Sequence, residues 1–355
     1  MNVGLTLYGS IDERSGGFRY DRKLIEGLRE AGDTVDVIEL PWRSYGRGLL
    51  DNASRKLRER LRVDVDVMLQ DELAHPSLVR ANRRLSYPIV SVVHHLRASE
   101  PRRLSPLYRA VERRYLGTVD GAITNSNATR ETVTGLGVDP ERTVVAPPAG
   151  DQFDPDIDDG VIRRRASERP LRLVFVGNVT PRKGVETLIE GLAVAETDAE
   201  LTVVGRALDP EYVDRVRRQI RRHGLSDRVR LAGELSTAEL AATLRSSHVL
   251  AVPSRYEGFG IVYLEGMSFG LPAIASRAGG ATETVVDGET GVLVGPDDPA
   301  GVARAVSAID ADRDRLAAMG VAARRRYERH PGWAETTARV RRLLAETVPE
   351  SGVGT

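Results

Sequence analysis

PSRYEGFGIVYLEGMSFG, residues 253–270, holds two glutamates eight positions apart, Glu257 and Glu265. The short apolar strand Val249–Val252 precedes it, and it ends at a glycine followed two residues later by proline, which is a typical helix stop. The pattern therefore places Glu257 on the loop before a helix and Glu265 inside that helix. The first backbone N–H groups of a helix have no intrahelical partner and carry partial positive charge, so they attract phosphate. Two carboxylates flanking such an anion site suit a nucleotide-sugar.

A second loop with glycine at both ends, GNVTPRKG at residues 177–184, follows the apolar strand LRLVFV. Gly177 lets the chain turn close to a ligand, and Arg182 and Lys183 stand just before the next helix, where their charges suit a diphosphate. Only three of the 51 basic residues are lysines, so Lys183 marks a position that favours a compact ammonium. A solvated basic turn is the alternative interpretation of this pair.

Alternating strand and helix patterns run through both halves of the chain and predict parallel sheets wrapped by helices. The stretch PPAGDQFDPDIDDG, residues 147–160, separates the two sets and has the composition of a linker. We therefore predict an α/β protein with two doubly wound domains, residues 1–165 and 166–330. Such folds bind ligands at the carboxyl ends of their strands, so we expect the two sheets to face a central cleft that holds the site.

The composition excludes several classes of function. The 51 basic residues are balanced by 51 acidic ones, which argues against a nucleic-acid binder. No apolar run approaches the roughly 18 residues that a membrane span needs, and the N-terminus MNVGLTLYGS has the pattern of a strand rather than of a signal peptide. The chain has no cysteine and therefore no disulfide, thiolate metal site or cysteine nucleophile. These features favour a cytoplasmic protein.

The glutamate stretch belongs to a longer pattern that resembles a known family. Residues 253–276, the run AGGATETVVDGETGVLVGPDDP, the FVGNVTPRKG loop, the N-terminal SGG and VVAPPAGD are all similar to the signature of the retaining glycosyltransferases of family 4, also called glycosyl transferases group 1. The resemblance covers nearly the whole chain and is strongest over residues 171–300. It implies a GT-B fold of two Rossmann-like domains, with an acceptor-side first domain and a donor-binding second domain. It also implies that the C-terminal helix, within residues 333–350, packs back onto the first domain.

The resemblance assigns donor contacts to the glutamate stretch. Glu257 matches the glutamate that contacts the hydroxyls of the donor sugar, and Glu265 matches the carboxylate that accepts hydrogen bonds from the ribose. The turn and the helix start between them match backbone that approaches the sugar and the diphosphate. Those positions are Phe259, Gly260, Ile261 and Val262.

The remaining assignments fall on glycine loops. By resemblance, Lys183 binds the diphosphate, and Gly16 and Gly17 form the loop of the first domain that closes over it. Many members of the family have arginine directly after the glycine at position 177, where this chain has Asn178. Either Arg182 takes over part of that charge, or the donor binds more weakly or in a different pose.

His94 and His95 follow the apolar strand PIVSVV of the first domain. Similar enzymes often place a histidine at this strand end near the reacting sugar, and His94 fits that register. A structural histidine and a metal ligand are the alternatives, but the sequence shows no clustered carboxylates with metal spacing beside the pair. The second domain has no Asp-x-Asp run directly after a strand, of the sort that holds a metal and a nucleotide, so we expect neither a metal nor another cofactor. Arg182, Lys183 and helix N-termini would then neutralise the diphosphate.

Two stretches of the first domain are basic. Residues 41–63 hold seven basic residues against Asp51 and Glu59, and residues 76–118 hold nine arginines against Glu100 and Glu112. Solvated helix faces are one interpretation. The other is an anionic partner, either the inner face of a membrane or a phosphorylated lipid acceptor.

Together these features predict a retaining, metal-independent hexosyltransferase. The donor would be a UDP- or GDP-linked hexose, most simply glucose or mannose, and the acceptor an unidentified hydroxyl in glycan, glycolipid or cell-envelope polysaccharide synthesis. The main alternative is a non-catalytic nucleotide-sugar sensor or assembly subunit on the same fold. A nucleotide-sugar 2-epimerase should lack the EGFG-x4-E pattern that this chain carries.

Overall fold

The computed structural model describes residues 1–13, 15–99 and 105–349. The chain divides into two compact units. The first comprises Met1–Pro148 together with the C-terminal segment that begins at Pro331, and the second comprises Ala149–His330. Each unit is built on one parallel six-stranded sheet, as the alternating strand and helix patterns predict.

The first unit has the strand order β2-β1-β3-β4-β5-β6. Its strands are β1 (Asn2–Tyr8), β2 (Thr34–Leu40), β3 (Val67–Asp71), β4 (Ile89–Val93), β5 (Gly121–Thr124) and β6 (Thr143–Val145). Its helices are α1 (Gly16–Glu30), α2 (Tyr45–Asp51), α3 (Arg55–Arg60), α4 (His75–Asn82), α5 (Ser105–Leu116) and α6 (Asn127–Thr134).

The second unit has the order β12-β11-β10-β7-β8-β9. Its strands are β7 (Arg172–Val176), β8 (Glu200–Val204), β9 (Val229–Gly233), β10 (Val249–Val252), β11 (Ala273–Ser276) and β12 (Gly291–Val294). Its helices are α7 (Asp159–Ala166), α8 (Val185–Val194), α9 (Pro210–Arg222), α10 (Thr237–Ser246), α11 (Ile261–Ser268), α12 (Ala281–Thr284), α13 (Pro299–Ala311) and α14 (Arg313–Glu328). Among the described residues, no helix combines the length and the apolar character needed to cross a bilayer.

The central strands explain why the sequence forms parallel sheets. Every residue of β3, β4, β10 and β11 is buried, because helices cover both faces of such a sheet and leave no face for polar side chains. The strand order reverses between β1 and β3 in the first unit, and between β7 and β10 in the second. Ligands of doubly wound folds bind beyond the carboxyl ends of the strands at such reversals. The loops after β7 and β10 are the two loops that the sequence analysis selects.

The second unit begins earlier than the sequence suggests. We predicted a linker over 147–160 and a boundary between 165 and 166, but α7 belongs to the second unit. Ile162 is buried in the core of that unit. The buried guanidinium of Arg165 donates hydrogen bonds to the carbonyl oxygens of Phe269 and Gly270, at 2.8 and 3.0 Å. The sequence does not reveal where α7 begins, because the residues before it are rich in proline and aspartate. The contacts of Arg165 that fix the helix are to residues 104 and 105 positions away.

The last helix, α15 (Trp333–Thr347), lies in the first unit and packs against α1. Val340 and Leu344 are buried in a core that includes Leu24 of α1. Arg341 donates to both carboxylate oxygens of the buried Asp33, at 2.6 and 3.1 Å. Hydrophobic burial and a bidentate charged hydrogen bond therefore fix the end of the chain to the domain in which it began.

Candidate active site

The two glutamates of the opening stretch occupy different local structures. Glu257 lies on the loop between β10 and α11, and Glu265 lies within α11. Both are buried, with exposed fractions of 5% and 8%. The loop is fixed by its backbone, because the N–H of Gly280 donates to the carbonyl of Glu257 at 2.8 Å. A side chain at Gly279 would lie 2.1 Å from that same carbonyl oxygen, so the loop requires glycine at Gly279.

Glu257 is the centre of a buried charge cluster. Its Oε1 accepts hydrogen bonds from the ammonium of Lys183 and the hydroxyl of Ser254, both at 2.6 Å. Its Oε2 lies 3.6 Å from the guanidinium of Arg182. Burial alone would raise the pKa of Glu257, but the charges of Lys183 and Arg182 and the two hydrogen bonds lower it to about 2. Glu257 is therefore a carboxylate at any physiological pH.

The cationic side of this cluster comes from the loop after β7. A 3₁₀ turn, Pro181–Lys183, carries both basic residues and ends at Gly184, whose φ is +75°. Gly177 lies beside it, because a β-carbon there would be 3.6 Å from Cε of Lys183. The backbone also joins the two loops, since the N–H of Arg255 donates to the carbonyl of Arg182 at 2.8 Å. The sequence predicts both loops, and the fold brings their charges together.

Gly184→Ala should unfold the protein at a markedly lower temperature. The left-handed φ costs about 1–3 kcal/mol for any other residue, and the new β-carbon would lie 2.2 Å from the carbonyl oxygen of Pro253. Gly224→Ala is the matched control, since Gly224 also has positive φ (+66°) but no atom within 4 Å of its β-carbon position. Thermal denaturation of the two variants tests the prediction. Equal decreases in melting temperature would show that the left-handed backbone conformation, and not the contact with Pro253, causes the loss of stability.

The start of α11 matches the expected anion site. Gly260 caps the helix in the left-handed conformation, with φ +86°, and a side chain there would collide with the ring of Tyr263 at 2.4 Å. Ile261 and Val262 occupy the first helical positions, where backbone N–H groups have no intrahelical acceptor. Phe259 is buried, and its ring centroid lies 5.7 Å from that of His330.

Asn178 occupies the position where many members of the family have arginine, and the structure shows which other guanidinium lies nearby. Nη1 of Arg182 donates to the carbonyl of Tyr256 at 3.0 Å and faces Glu257, so its guanidinium lies on the glutamate loop. Asn178 follows β7 and is half-buried. Arg182 is therefore the guanidinium that the structure places beside Lys183 and Glu257.

The first unit holds a second group of candidate residues. Gly16 and Gly17 form the first turn of α1, whose N-cap is Ser15. His94 follows β4, and a β-carbon on Gly17 would lie 3.2 Å from its Cδ2. Nε2 of His94 lies 3.1 Å from Oδ1 of the buried Asp21. The predicted glycine loop and the predicted histidine are therefore neighbours.

One argument of the sequence analysis is wrong. We predicted no clustered carboxylates with metal-ligand spacing beside His94, yet one polar atom from each of Asp21, Asp71 and His94 lies within 4.8 Å of the others. The fold creates this group, because α1, the end of β3 and the end of β4 meet there. The direct contact between His94 and Asp21 pairs the two side chains without an ion, and the absence of a metal remains our expectation for this protein.

Sequence reasoning missed four residues that complete these groups: Asp21, Asp71, Glu72 and Ser254. Ser254 stands three residues before Glu257, and Asp71 ends a strand, so spacing was an available signal for both. Asp21 had no such signal, because helical position alone does not reveal which carboxylate faces a histidine 73 residues away.

Comparison with known families finds two matches that together span most of the chain. A family model described as "Glycosyl transferases group 1" matches residues 161–326. A second, described as "Glycosyltransferase Family 4", matches residues 14–151. The first match contains both loops of the charge cluster, and the second contains the glycine pair and His94.

Curated relatives match over part of their length. The GDP-mannose-dependent α-(1-6)-phosphatidylinositol monomannoside mannosyltransferase of Mycolicibacterium smegmatis is 35% identical over 208 residues, 55% of this chain and 53% of that protein. The D-inositol 3-phosphate glycosyltransferase of Geodermatophilus obscurus is 32% identical over 262 residues, 67% of this chain and 57% of that protein. The chain thus matches little more than half the length of each.

Solved structures share the fold over almost the whole chain. Sucrose-phosphate synthase from Thermosynechococcus elongatus has a TM-score of 0.83 at 23% identity, covering 97% of this chain and 98% of that one. Anabaena HepE in complex with UDP and glucose has a TM-score of 0.79 at 20% identity, covering 98% and 100%. These likenesses confirm the two-domain, Rossmann-like fold class that the sequence predicts.

Proposed function

Because the chain belongs to the group 1 glycosyltransferases of family 4, we propose that it transfers a hexose from a nucleotide diphosphate to an acceptor hydroxyl. Glucose and mannose are the proposed hexoses, and UDP or GDP the carrier. The observation that carries the proposal is the cluster in which the half-buried Lys183 and Arg182 meet the buried Glu257. It brings two fixed cations and one fixed carboxylate together beside the start of α11.

The second unit would hold the donor. Lys183 and Arg182 would bind the diphosphate, and the N–H groups of Ile261 and Val262 would add hydrogen bonds at the helix start. Glu257 would bind sugar hydroxyls and orient the anomeric carbon, which is a proximity role. The ammonium of Lys183 would share its hydrogen bonds between Glu257 and phosphate oxygens, since an ammonium has three donors. Glu265, which is buried on the same helix, would accept from the ribose.

The reaction would retain the configuration of the anomeric carbon. The bond between that carbon and the diphosphate oxygen breaks, and the acceptor oxygen bonds to the same face. The acceptor proton passes to the departing phosphate, so the products are the glycoside and a free nucleoside diphosphate. Negative charge grows on the leaving diphosphate, and Lys183, Arg182 and the start of α11 would stabilise it without a metal ion.

Acceptor-dependent release of UDP or GDP tests the function. A thermal-shift panel of nucleotide-sugars first identifies the donor, because a ligand that binds only the folded state raises its melting temperature. Transfer with that donor is then measured with and without EDTA, and the anomeric configuration of the product is determined by NMR. Unchanged turnover in EDTA supports the metal-free proposal, and an inverted product would contradict retention.

A non-catalytic sensor of nucleotide-sugars is the second candidate. Asn178 favours it, because many family members carry arginine at that position and the loss of a cation weakens stabilisation of the leaving group. A sensor would bind the donor in the thermal-shift panel and release no nucleoside diphosphate with any acceptor. Acceptor-dependent release therefore separates the two candidates.

We propose an anionic membrane surface as a partner of the first unit, supported by its two basic stretches and by exposed apolar side chains near them. Arg102, Arg103 and Glu100 of the second basic stretch lie outside the described residues. α4 packs against both α2 and α5, and Leu50 on α2 and Leu107 on α5 are 69% and 51% exposed. Trp42, before α2, is 49% exposed. Exposed apolar side chains beside arginines suit a peripheral position on anionic lipid.

The protein should float with liposomes of anionic phospholipid at low salt and sediment at high salt, because screening weakens surface charge attraction. Leu50→Asp with Leu107→Asp should reduce the floated fraction severalfold, since each change removes an apolar contact and adds like charge. Val194→Asp is the matched control, because Val194 is 65% exposed in the second unit. Equal flotation of all three proteins would contradict this membrane face.

A further inference from the structure

Three carboxylates surround His94, and the proposed reaction gives them no role. Asp21, Asp71 and Glu72 have exposed fractions of 0%, 2% and 5%. Burying one carboxylate is costly unless a cation or several hydrogen bonds compensate it. His94 is the histidine that makes direct contact with this group. A buried anionic group around one imidazole requires an explanation.

The contacts fix both the ring and the backbone of His94. Its Nε2 lies 3.1 Å from Oδ1 of Asp21 and 3.7 Å from Oδ2 of Asp71. Its backbone N–H donates to Oε2 of Glu72 at 3.0 Å, and its carbonyl accepts from the side-chain amide of Asn125, also at 3.0 Å. Groups from α1, from the end of β3 and from the loop after β5 therefore hold one residue.

The ring is pressed against the first turn of α1. A β-carbon at Gly17 would lie 3.2 Å from Cδ2 of His94, so glycine allows this close approach. Tyr20, on the next turn, packs edge-on with its ring centroid 4.9 Å from that of His94. The Ser15 hydroxyl caps the N–H of Phe18, so the N–H groups of Gly16 and Gly17 remain outside the helical pattern. The imidazole of His94 therefore lies next to the N-terminus of α1, which carries partial positive charge.

Electrostatics favours the charged imidazole there. Burial would lower the pKa of His94, but the carboxylates of Glu72, Asp21 and Asp71 raise it to about 10. Burial and the neighbouring charges of Glu72 and Asp21 raise the pKa of Asp71. The other groups that face the histidine are Tyr20, which is neutral, and the adjacent His95. Within the described residues, Oδ2 of Asp21 has no hydrogen-bond partner, and Oδ1 is the oxygen that contacts His94.

We propose that Asp21 is a positioning residue that holds His94 as an imidazolium against the first turn of α1, where it supplies fixed positive charge to a phosphate group bound at that helix start. This inference rests on the proposed transfer reaction. Under this proposal the imidazolium of His94 is a cation of the first unit that lies beside Gly16 and Gly17. This also assigns a purpose to a carboxylate that does not itself touch the donor.

The protonation of His94 is measured directly, without any substrate. ¹⁵N NMR of the six histidines, with His94 assigned by His94→Gln, should show both ring nitrogens of His94 protonated from pH 6 to 9. In Asp21→Asn the ring keeps an acceptor but loses the nearest charge, so its titration should move down into that range. A wild-type His94 that titrates near neutral pH would overturn the proposal, even if the protein proves inactive towards every donor.

Kinetics tests the consequence for transfer. Asp21→Asn should lower kcat about 10²-fold at pH 8, with a KM for the donor within about threefold of wild type. Its kcat should recover as the pH falls to 6, because protonation restores the imidazolium, whereas a purely structural defect would not recover. Asp21→Glu should restore most of the activity. Glu26→Gln, which removes an exposed carboxylate from the same helix, is the control. A pH-independent loss, or no loss, in Asp21→Asn would overturn the proposal.

Discussion

Lys183→Ala should lower kcat by about 10²-fold or more, the scale of losing one preorganised charge in a closed site. The ammonium is the cation nearest to Glu257, at 2.6 Å, and it is the group proposed to meet the leaving diphosphate. The same change leaves a buried carboxylate with the hydroxyl of Ser254 and the more distant cation of Arg182, so we also expect the free energy of unfolding to fall by about 3 kcal/mol. Steady-state kinetics with the identified donor and urea denaturation measure the two effects.

Lys183→Arg separates charge from shape. Arginine keeps the charge, but its planar guanidinium cannot occupy the small space beside Gly177 and Glu257 as a compact ammonium does. We expect its kcat to stay well below that of wild type although the stability largely returns. Lys56→Ala is the control, because Lys56 is exposed on α3. Near-normal turnover in both Lys183 variants would remove this residue from the mechanism.

Glu257→Gln should produce the largest loss of stability, about 3–5 kcal/mol, because it leaves two cations beside a neutral buried amide. It should also lower kcat by about 10²-fold or more, since the proposed contact with the sugar hydroxyls loses its charge. Glu289→Gln, an exposed position of the same unit, is the matched control. Stability equal to that of the control would mean that the Lys183 contact is not maintained in solution.

The stability difference between wild type and Glu257→Gln should decrease as the pH falls. The pKa of Glu257 falls from 4.5 to about 2 on folding, where the charges of Lys183 and Arg182 outweigh the opposing effect of burial. The stability that the ionised carboxylate contributes is therefore fully present above about pH 4.5 and is lost as the pH falls towards 2. The difference in unfolding free energy between wild type and Glu257→Gln should shrink across that interval in denaturant titrations.

Periodicity predicts the elements whose local pattern is strong. The strand β10 has the bounds that the sequence indicates, β4 lies within the apolar run PIVSVV, and α15 lies within the expected residues 333–350. Weak local patterns fail. The local pattern does not predict the edge strand β12, and α7 begins at Asp159, at the end of a stretch that has the composition of a linker. Both form because partners distant in sequence, β11 for the strand and α14 for the helix, stabilise them against their local preference.

At the candidate site, too, the sequence predicts local motifs but not the contacts between them. The sequence identifies Glu257, Lys183, Gly17 and His94, because glycine loops after strands are visible as motifs. It treats Lys183 and Glu257 as two sides of a donor site, whereas the fold joins them in one buried ion pair. Spacing along the chain cannot show a contact over 74 residues. The roles of these residues in catalysis and donor binding remain predictions.

The sequence by itself determined the class of this protein: two parallel α/β domains, the glycine turns, and which residue types occupy the loops after β7, β10 and β4. Those features are local, since each depends on residues within about ten positions of one another. Only the tertiary structure decided the partners of the charges, Lys183 with Glu257 and Asp21 with His94. The reason is that a parallel sheet aligns strand ends from distant parts of the chain, and burial then determines which charges must compensate one another.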